Sequence, residues 1–216
     1  MSHGVDVNKN RLDDLDRIIL RDSLLEPFNK KNICNIGCGE SSLSVALCAL
    51  GHFVYNYDTR DLNSFFEMTS ELFHRQNFTQ IEISQIKKHN LPKQIDVAVL
   101  QRVLHYLPYN QAQKFLQTLT DQLSDNGKMY VSLTGIDSQI GCNYAAKDME
   151  LESRMGYIGE QDKIDFNLTE QVCLYSETDA KKLLNSIDGL SIADIWVSQF
   201  GNIKIIASKV ILLKDE

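Results

Sequence analysis

The stretch NICNIGCGE, residues 32–40, decides the fold of this chain. Three residues that favour extended backbone lead directly into Gly37 and Gly39. Two glycines one residue apart at the end of a strand leave the backbone bare. A ligand can then approach it closely, and the first amides of the next helix can donate to that ligand. The stretch therefore predicts a ligand-binding turn between a buried strand and a helix.

Strands and helices alternate on both sides of this turn. Apolar spacing predicts helices over 9–28, 40–50 and 64–76, and a further helix that Asn110 caps. Gly51 is expected to end the helix 40–50 in a left-handed conformation. Further strands are predicted at 53–58, 80–84, 95–100 and 128–133. Two long strand-like runs then close the chain, with only Gly201 and Asn202 between them, which is typical of a hairpin. The alternation indicates an α/β fold, with a doubly wound, mostly parallel sheet and an antiparallel last strand.

The alternation breaks after the fifth strand, over residues 135–175. A gap of that length is too long for a plain connection in a compact domain, so it predicts a helix-bearing, substrate-shaping insert. The segment SETD, from Ser176 to Asp179, resembles a capping box and predicts the next helix. We expect one domain over 1–216, with an N-terminal helix within 1–30 and this insert.

Composition argues against several classes of protein. The 216 residues carry a net charge of −7, which disfavours a broad nucleic-acid surface and favours a small or neutral substrate. No apolar run approaches the roughly 18 residues of a membrane span, and the N-terminal region lacks an apolar segment of signal-peptide type. The five cysteines form no CxxC pair and no metal-binding spacing. We expect a cytoplasmic protein with free thiols, without a metal site, a membrane span or a nucleic-acid partner.

A carboxylate stands where a ribose would need it. Asp58 lies 21 residues after Gly37, at the end of the second predicted strand, and can accept hydrogen bonds from ribose hydroxyls. The dinucleotide pattern would require a third glycine, which the series 37–42 lacks, and Glu40 places a negative charge where a pyrophosphate would lie. The pattern therefore favours a nucleoside without phosphates.

These motifs resemble those of the class I S-adenosylmethionine-dependent methyltransferases. The first motif of that family is matched at Ile36, Gly37, Cys38 and Gly39. Asn35 replaces the usual acidic residue of the motif, and Ser41 replaces its last glycine. Residues 95–107 resemble the fourth-strand segment of the family, and 123–133 resemble its fifth strand. The resemblance implies a Rossmann-like, seven-stranded sheet with S-adenosylmethionine as cofactor and S-adenosylhomocysteine as product.

The resemblance also implies a set of cofactor contacts. They come from the glycine turn and from the ends of the neighbouring strands: Asn35, Gly37, Cys38, Gly39, Asp58, Thr59, Gln85 and Gln101. Gln101 is expected at the methionine end of the cofactor, and Gln85 or Ile86 near the adenine. His105 is the candidate catalytic base, with a packing histidine as the alternative.

The acceptor is expected to meet the insert. Tyr144, Arg154 and Tyr157 are the candidate substrate contacts, and Arg154 would suit a substrate carboxylate, with a solvated face as the alternative. Methyl transfer by in-line displacement depends on positioning and needs no dedicated base. We therefore expect a methyltransferase acting on a small molecule, of unspecified oligomeric state. The alternatives are a catalytically silent binding or regulatory subunit, which Asn35 and Ser41 keep open, and an NAD-dependent oxidoreductase.

Overall fold

A seven-stranded sheet forms the centre of the protein, with strand order β3-β2-β1-β4-β5-β7-β6. The computed structural model describes residues 12–26 and 29–210, apart from the side chains of 70–73. Strands β1 to β5 are parallel, and β7 lies antiparallel to both β5 and β6. The strands are β1 Asn32–Ile36, β2 Phe53–Asp58, β3 Gln76–Gln80, β4 Ile95–Gln101, β5 Leu123–Leu133, β6 Leu190–Val197 and β7 Ile203–Lys209.

Helices cover both faces of the sheet. Within the described residues they are α1 Asp14–Leu25, α2 Ser42–Ala49, α3 Asn63–Phe73, α4 Tyr109–Gln122, α5 Glu160–Asp165 and α6 Glu177–Asn185. Side chains of β1 alternate between two apolar clusters. Ile33 packs with α1 and α2, while Cys34 faces the cluster that α4 and α6 complete. Because successive strand side chains point to opposite faces, a run of apolar residues fills both clusters, as the doubly wound prediction requires.

The third strand lies earlier in the chain than the sequence predicted. The predicted strand at 80–84 is wrong: β3 ends at Gln80, and Ile83–Gln85 form a short 3-10 helix. Phe78 of β3 stacks on Phe66 of α3, with ring centroids 4.8 Å apart. The isoleucine alternation at 81–83 suggested a strand, but those side chains pack against the core beyond the strand end.

Other element ends shift by a few residues. Helix α3 ends at Phe73 rather than at 76, because β3 begins there. Pro108, not Asn110, occupies the cap position of α4. Ser198 N–H donates to the carbonyl of Asn202 at 2.8 Å, so the β6–β7 loop spans 198–202 and is longer than the predicted two residues. The predicted helix 9–28 reaches beyond the described residues, whereas Gly51 has the predicted left-handed φ of +92°.

Residues 135–175 leave the sheet at the carboxyl end of β5. They contain 3-10 turns at Gln139–Gly141 and Leu151–Ser153, and the short helix α5. Their ends meet in a bridge between Gly135 and Tyr175. A small apolar cluster of their own holds them together. The predicted capping box follows, since Asp179 N–H donates to Ser176 Oγ at 3.0 Å.

Candidate active site

The two glycines of the β1–α2 turn have left-handed backbone, with φ of +67° at Gly37 and +59° at Gly39. The Gly37 N–H donates to the carbonyl of Tyr57 on β2 at 2.8 Å, which ties the turn to the neighbouring strand. A Cβ on Gly37 would lie 2.8 Å from Cγ2 of Val103. Because the chain approaches Val103 so closely, the bare backbone predicted here is a steric requirement as well as a conformational one.

Asp58 faces this turn from the end of β2. Its side chain is buried, and its Oδ2 accepts the Gly39 N–H at 2.8 Å. Oδ1 accepts both the backbone N–H and the Nε–H of Arg60, at 3.0 and 3.2 Å. A carboxylate has about four acceptor positions, so with Arg60 in place Oδ2 can still accept one hydroxyl. The Arg60 side chain is 32% exposed and pairs with this carboxylate.

The residues that depart from the family motif support the turn from behind. Asn35 is buried, and its Nδ2 donates to Ser41 Oγ at 3.2 Å and to Ser44 Oγ at 2.9 Å. The Ser41 hydroxyl in turn accepts the Ser44 N–H and caps α2. The departures therefore form their own hydrogen-bond network, and Asn35 and Cys38 lie off the main cavity, on a small pocket behind it.

One large cavity of about 1060 Å³ opens at the carboxyl ends of the parallel strands. Open α/β sheets bind their ligands at this edge. The insert and the β6–β7 loop form the far wall. Seven of the predicted site residues line the cavity: Gly37, Gly39, Asp58, Thr59, Gln101, His105 and Tyr157.

The adenine side was predicted at Gln85 or Ile86, and the structure places these two residues differently. Gln85 is exposed and does not line the cavity, whereas Glu82, Ser84 and Ile86 do. The misplaced strand explains the error, since a strand over 80–84 would have hidden Glu82 in its middle. With β3 ending at Gln80, Glu82 is an acidic residue just beyond a strand end, where functional side chains of such folds gather.

Gln101 ends β4 between the cavity and the N-terminal helix. Its Nε2 donates to the carboxylate of Asp16 on α1. Its Oε1 is buried and has no hydrogen-bond partner in the part of the chain that the structure describes. Asp16 itself is 2% exposed, and burial, with a smaller effect of Asp13, raises its pKa to about 6. Sequence reasoning did not single out Asp16, because a carboxylate inside a predicted helix gives no signal of a site.

His105 lies in the cavity wall as a neutral side chain. Its Nδ1 is 2.8 Å from Thr134 Oγ1, and its Nε2 is buried without a partner among the described residues. Burial, followed by the nearby charge of Arg102, lowers its pKa to about 3. A histidine of that pKa is a weak base, which favours the packing alternative.

Two of the three insert residues have structural roles. The Tyr144 hydroxyl donates to the carbonyl of Val172 at 2.6 Å, and Arg154 pairs with Asp179 at the start of α6. Neither lines the cavity, because both side chains are used inside the insert and its junction. Tyr157 does line the cavity and is 47% exposed.

Sequence reasoning missed most of the far wall of the cavity. Its apolar and aromatic members come from the insert, the segment after β4 and the β6–β7 loop: Tyr106, Ile140, Met155, Phe166, Leu168 and Phe200. Arg102 also lines the cavity, and its left-handed φ of +52° is rare for a non-glycine residue. These segments have no regular period, so pattern analysis had no signal for which side chains face inward.

Comparison with family models finds a match within the first two thirds of the chain. Residues 34–131 match the family model described as a methyltransferase domain. The sequence has no match among curated proteins. None of the helices among the described residues is both long enough and apolar enough to span a membrane.

Solved structures share the fold over nearly the whole chain. The 1,6-didemethyltoxoflavin-N1-methyltransferase of Burkholderia thailandensis, solved with 1,6-didemethyltoxoflavin and S-adenosylhomocysteine bound, is 14% identical, with a TM-score of 0.67 over 95% of this chain and 82% of that chain. Magnesium protoporphyrin IX methyltransferase of Synechocystis PCC 6803, solved with S-adenosylmethionine, is 16% identical, with a TM-score of 0.60 over 90% and 77%. An S-adenosylmethionine-dependent methyltransferase of Methanosarcina mazei is 18% identical, with a TM-score of 0.63 over 90% and 98%. The predicted fold class is confirmed.

Proposed function

We propose that this chain is a class I S-adenosylmethionine-dependent methyltransferase, which its domain match and its fold support, and that it transfers a methyl group to a small-molecule acceptor in the large cavity. The observation that carries the proposal is the pairing of the bare Gly37–Gly39 turn with the Asp58 carboxylate at one end of that cavity. The turn and the carboxylate would hold the nucleoside, and the insert would hold the acceptor opposite it.

The residues present fit the cofactor. Asp58 keeps an acceptor position for a ribose hydroxyl, and the close approach at Gly37 leaves the turn without a side chain. Glu82 and Ile86 supply polar and apolar contacts on the adenine side, and Gln101 offers an unpartnered oxygen towards the methionine end. When bound, S-adenosylmethionine would supply a methyl group on a positive sulfur for in-line displacement.

The protein's own contribution would be positioning and exclusion of water. Gly39 and Arg60 fix the Asp58 carboxylate, so the nucleoside end would meet a preorganised acceptor. The ring of His105 is held by Thr134 and is neutral, which suits a wall that orients ligands without adding charge. We assign His105 no proton transfer, because its pKa of about 3 makes it a poor base near neutral pH.

The far wall supports a small and largely apolar acceptor. Aromatic faces such as Tyr106 and Phe166 favour packing against flat apolar groups. Four acidic residues and two arginines line the cavity as a whole, namely Asp58, Glu82, Asp137, Glu170, Arg60 and Arg102. A nucleic acid would need an excess of cationic side chains, so this balance supports a small molecule instead.

The site weakens the case for a silent subunit. That alternative came from Asn35 and Ser41, and both are accommodated by hydrogen bonds that keep the turn in place. The oxidoreductase alternative would need room and donors for a pyrophosphate at a turn where a third glycine is missing. Neither alternative gains support from a feature of the cavity.

Calorimetry with S-adenosylhomocysteine tests the proposal, with NADH as the comparison ligand. We expect binding of S-adenosylhomocysteine at micromolar or tighter concentration and none of NADH. Transfer of a labelled methyl group from S-adenosylmethionine to a panel of aromatic metabolites then tests catalysis. Absence of S-adenosylhomocysteine binding would contradict the proposed cofactor site, and binding of NADH alone would favour the oxidoreductase.

A further inference from the structure

The charged side chains of the large cavity are divided between its two walls. Both of its arginines belong to the strand ends: Arg60 follows β2 and pairs with Asp58, and Arg102 follows β4. On the far wall, which the insert and the β6–β7 loop form, the charged members are Asp137 and Glu170. Every residue of these two segments lies in the described part of the chain. The space proposed for the acceptor is therefore bounded on that wall by negative charge.

The cationic side chains of the insert are paired with carboxylates and lie off the cavity lining. Residues 135–175 carry eight carboxylates and only three cationic side chains, so the insert as a whole is acidic. The three ion pairs are Lys147 with Asp137, Lys163 with Glu160, and Arg154 with Asp179. Glu170 belongs to none of them and has no ion-pair partner among the described residues. A cleft lined by charge of one sign attracts ligands of the opposite sign, and Glu170 is the carboxylate left to bind one.

An aromatic ring lies near the Glu170 carboxylate. The antiparallel bridge between Gly156 and Val172 places Tyr157 beside the segment that carries Glu170, and both side chains line the cavity. The Tyr157 ring already stabilises one positive charge, because Lys163 Nζ lies 4.6 Å from its centroid. A carboxylate combined with an aromatic face is an arrangement that binds ammonium groups in proteins. This part of the far wall therefore suits a cation better than an anion.

A buried nitrogen lies where the insert joins the strand ends. His105 is 6% exposed and lines the cavity, and its carbonyl accepts the N–H of Cys173 at 2.8 Å. Its Nδ1 is 2.8 Å from Thr134 Oγ1, whereas its Nε2 has no hydrogen-bond partner among the described residues. A buried polar atom without a partner is unfavourable, and a polar atom of the acceptor would supply that partner. The cavity thus offers a neutral nitrogen near the strand ends and a carboxylate on the insert.

We propose that the acceptor is a small aromatic molecule with an ammonium group on a side chain, and that Glu170 binds this ammonium group. The inference rests on the proposed function and adds the charge of the acceptor, which that function leaves open. The ammonium group serves recognition and is separate from the atom that receives the methyl group, because a protonated nitrogen has no lone pair for in-line displacement. This charge is opposite to the one that Arg154 would have suited, and the structure pairs Arg154 with Asp179 away from the cavity lining.

Calorimetry on the whole chain saturated with S-adenosylhomocysteine tests the inference with three probes that share one ring and differ in charge. At neutral pH tryptamine is a cation, tryptophol is neutral and indole-3-acetate is an anion. We expect tryptamine to bind about 5- to 20-fold tighter than tryptophol, and indole-3-acetate to bind more weakly than either.

Two variants of Glu170 test whether this carboxylate causes the preference. Glu170→Gln should lower the ratio of tryptamine to tryptophol affinity at least about threefold and leave tryptophol unchanged, and Glu170→Lys should favour indole-3-acetate over tryptamine. Glu177→Gln is the matched control. Glu177 on α6 pairs with Lys181 and does not line the cavity, so this variant should keep the preference of the unmodified chain.

The outcomes separate the inference from its premise. If the unmodified chain binds S-adenosylhomocysteine but binds the three probes equally, prefers the anion or binds none of them, the inference is overturned and the proposed function is not. Absence of S-adenosylhomocysteine binding to the unmodified chain overturns both together. A preference for tryptamine that both Glu170 variants retain places the ammonium group elsewhere and overturns the inference. Loss of S-adenosylhomocysteine binding in both variants would mean that Glu170 supports the fold, which overturns it as well.

Discussion

Replacing Gly37 by alanine tests whether the glycine turn is shaped by its close approach to Val103. The new Cβ would lie 2.8 Å from Cγ2 and 2.9 Å from Cβ of Val103, both inside normal contact. Overpacking of this kind costs about 1–3 kcal/mol, and the left-handed φ of +67° costs a non-glycine residue about 1–2 kcal/mol more. The free energy of unfolding should therefore fall by roughly 2–5 kcal/mol, which lowers Tm by about 5–15 °C for a domain of this size.

Gly189 provides the matched control for this prediction. It has a similar φ of +75°, but a Cβ there would meet nothing within 4 Å. Gly189→Ala should cost only the backbone term of about 1 kcal/mol and leave ligand affinity unchanged. Thermal unfolding and calorimetry with S-adenosylhomocysteine should be run on both variants. If Gly37→Ala unfolds no earlier than Gly189→Ala and binds the ligand as well as the unmodified chain, the close approach does not shape the site.

Three further predictions concern the carboxylate, the buried histidine and the insert. Asp58→Ala should weaken S-adenosylhomocysteine by about 10-fold or more in calorimetry, since it removes a ribose acceptor and the Gly39 anchor; an unchanged affinity would contradict the ribose assignment. His105 has a folded-state pKa of about 3 against 6.5 when unfolded, so the unfolded chain binds the extra proton and stability falls as pH drops below 6.5. At pH 5 this effect should lower the free energy of unfolding by about 2 kcal/mol, as measured by urea unfolding. The His105→Gln variant should not show this loss, and an identical pH dependence in both proteins would refute the burial. Arg154→Gln should lower Tm by several degrees, because it leaves the Asp179 carboxylate without its ion-pair partner, while S-adenosylhomocysteine affinity stays within twofold in calorimetry; a large loss of affinity would return Arg154 to the site.

The local residue pattern predicted those parts of the site that belong to regular elements. Gly37, Gly39 and Asp58 follow strands whose apolar residues alternate between two clusters, so their place at one sheet edge follows from strand order. Gln101 was found for the same reason. Where an element was misplaced, the prediction shifted with it: assigning 80–84 to a strand pointed to Gln85, which does not line the cavity, and not to Glu82, which does.

The insert shows where sequence patterns stop being informative. Tyr144, Arg154 and Tyr157 have the same kinds of side chain and the same irregular surroundings. In the structure, Tyr144 contacts Val172 and Arg154 contacts Asp179, whereas Tyr157 lines the cavity. Where a segment has no helical or strand period, the direction in which a side chain points depends on the distant groups that it contacts. Those contacts exist only in the folded chain.

The sequence by itself determined the doubly wound sheet, the bare turn at its edge and the carboxylate that faces it. Each of these follows from short-range rules, namely apolar alternation, the conformational freedom of glycine and the ends of strands. Only the tertiary structure decided the far wall of the cavity, the neutral state of His105 and the placement of Asp16 beside Gln101, 85 residues away along the chain. Burial and contacts between distant segments set these features, because desolvation depends on everything that packs around a group and not on its neighbours in sequence.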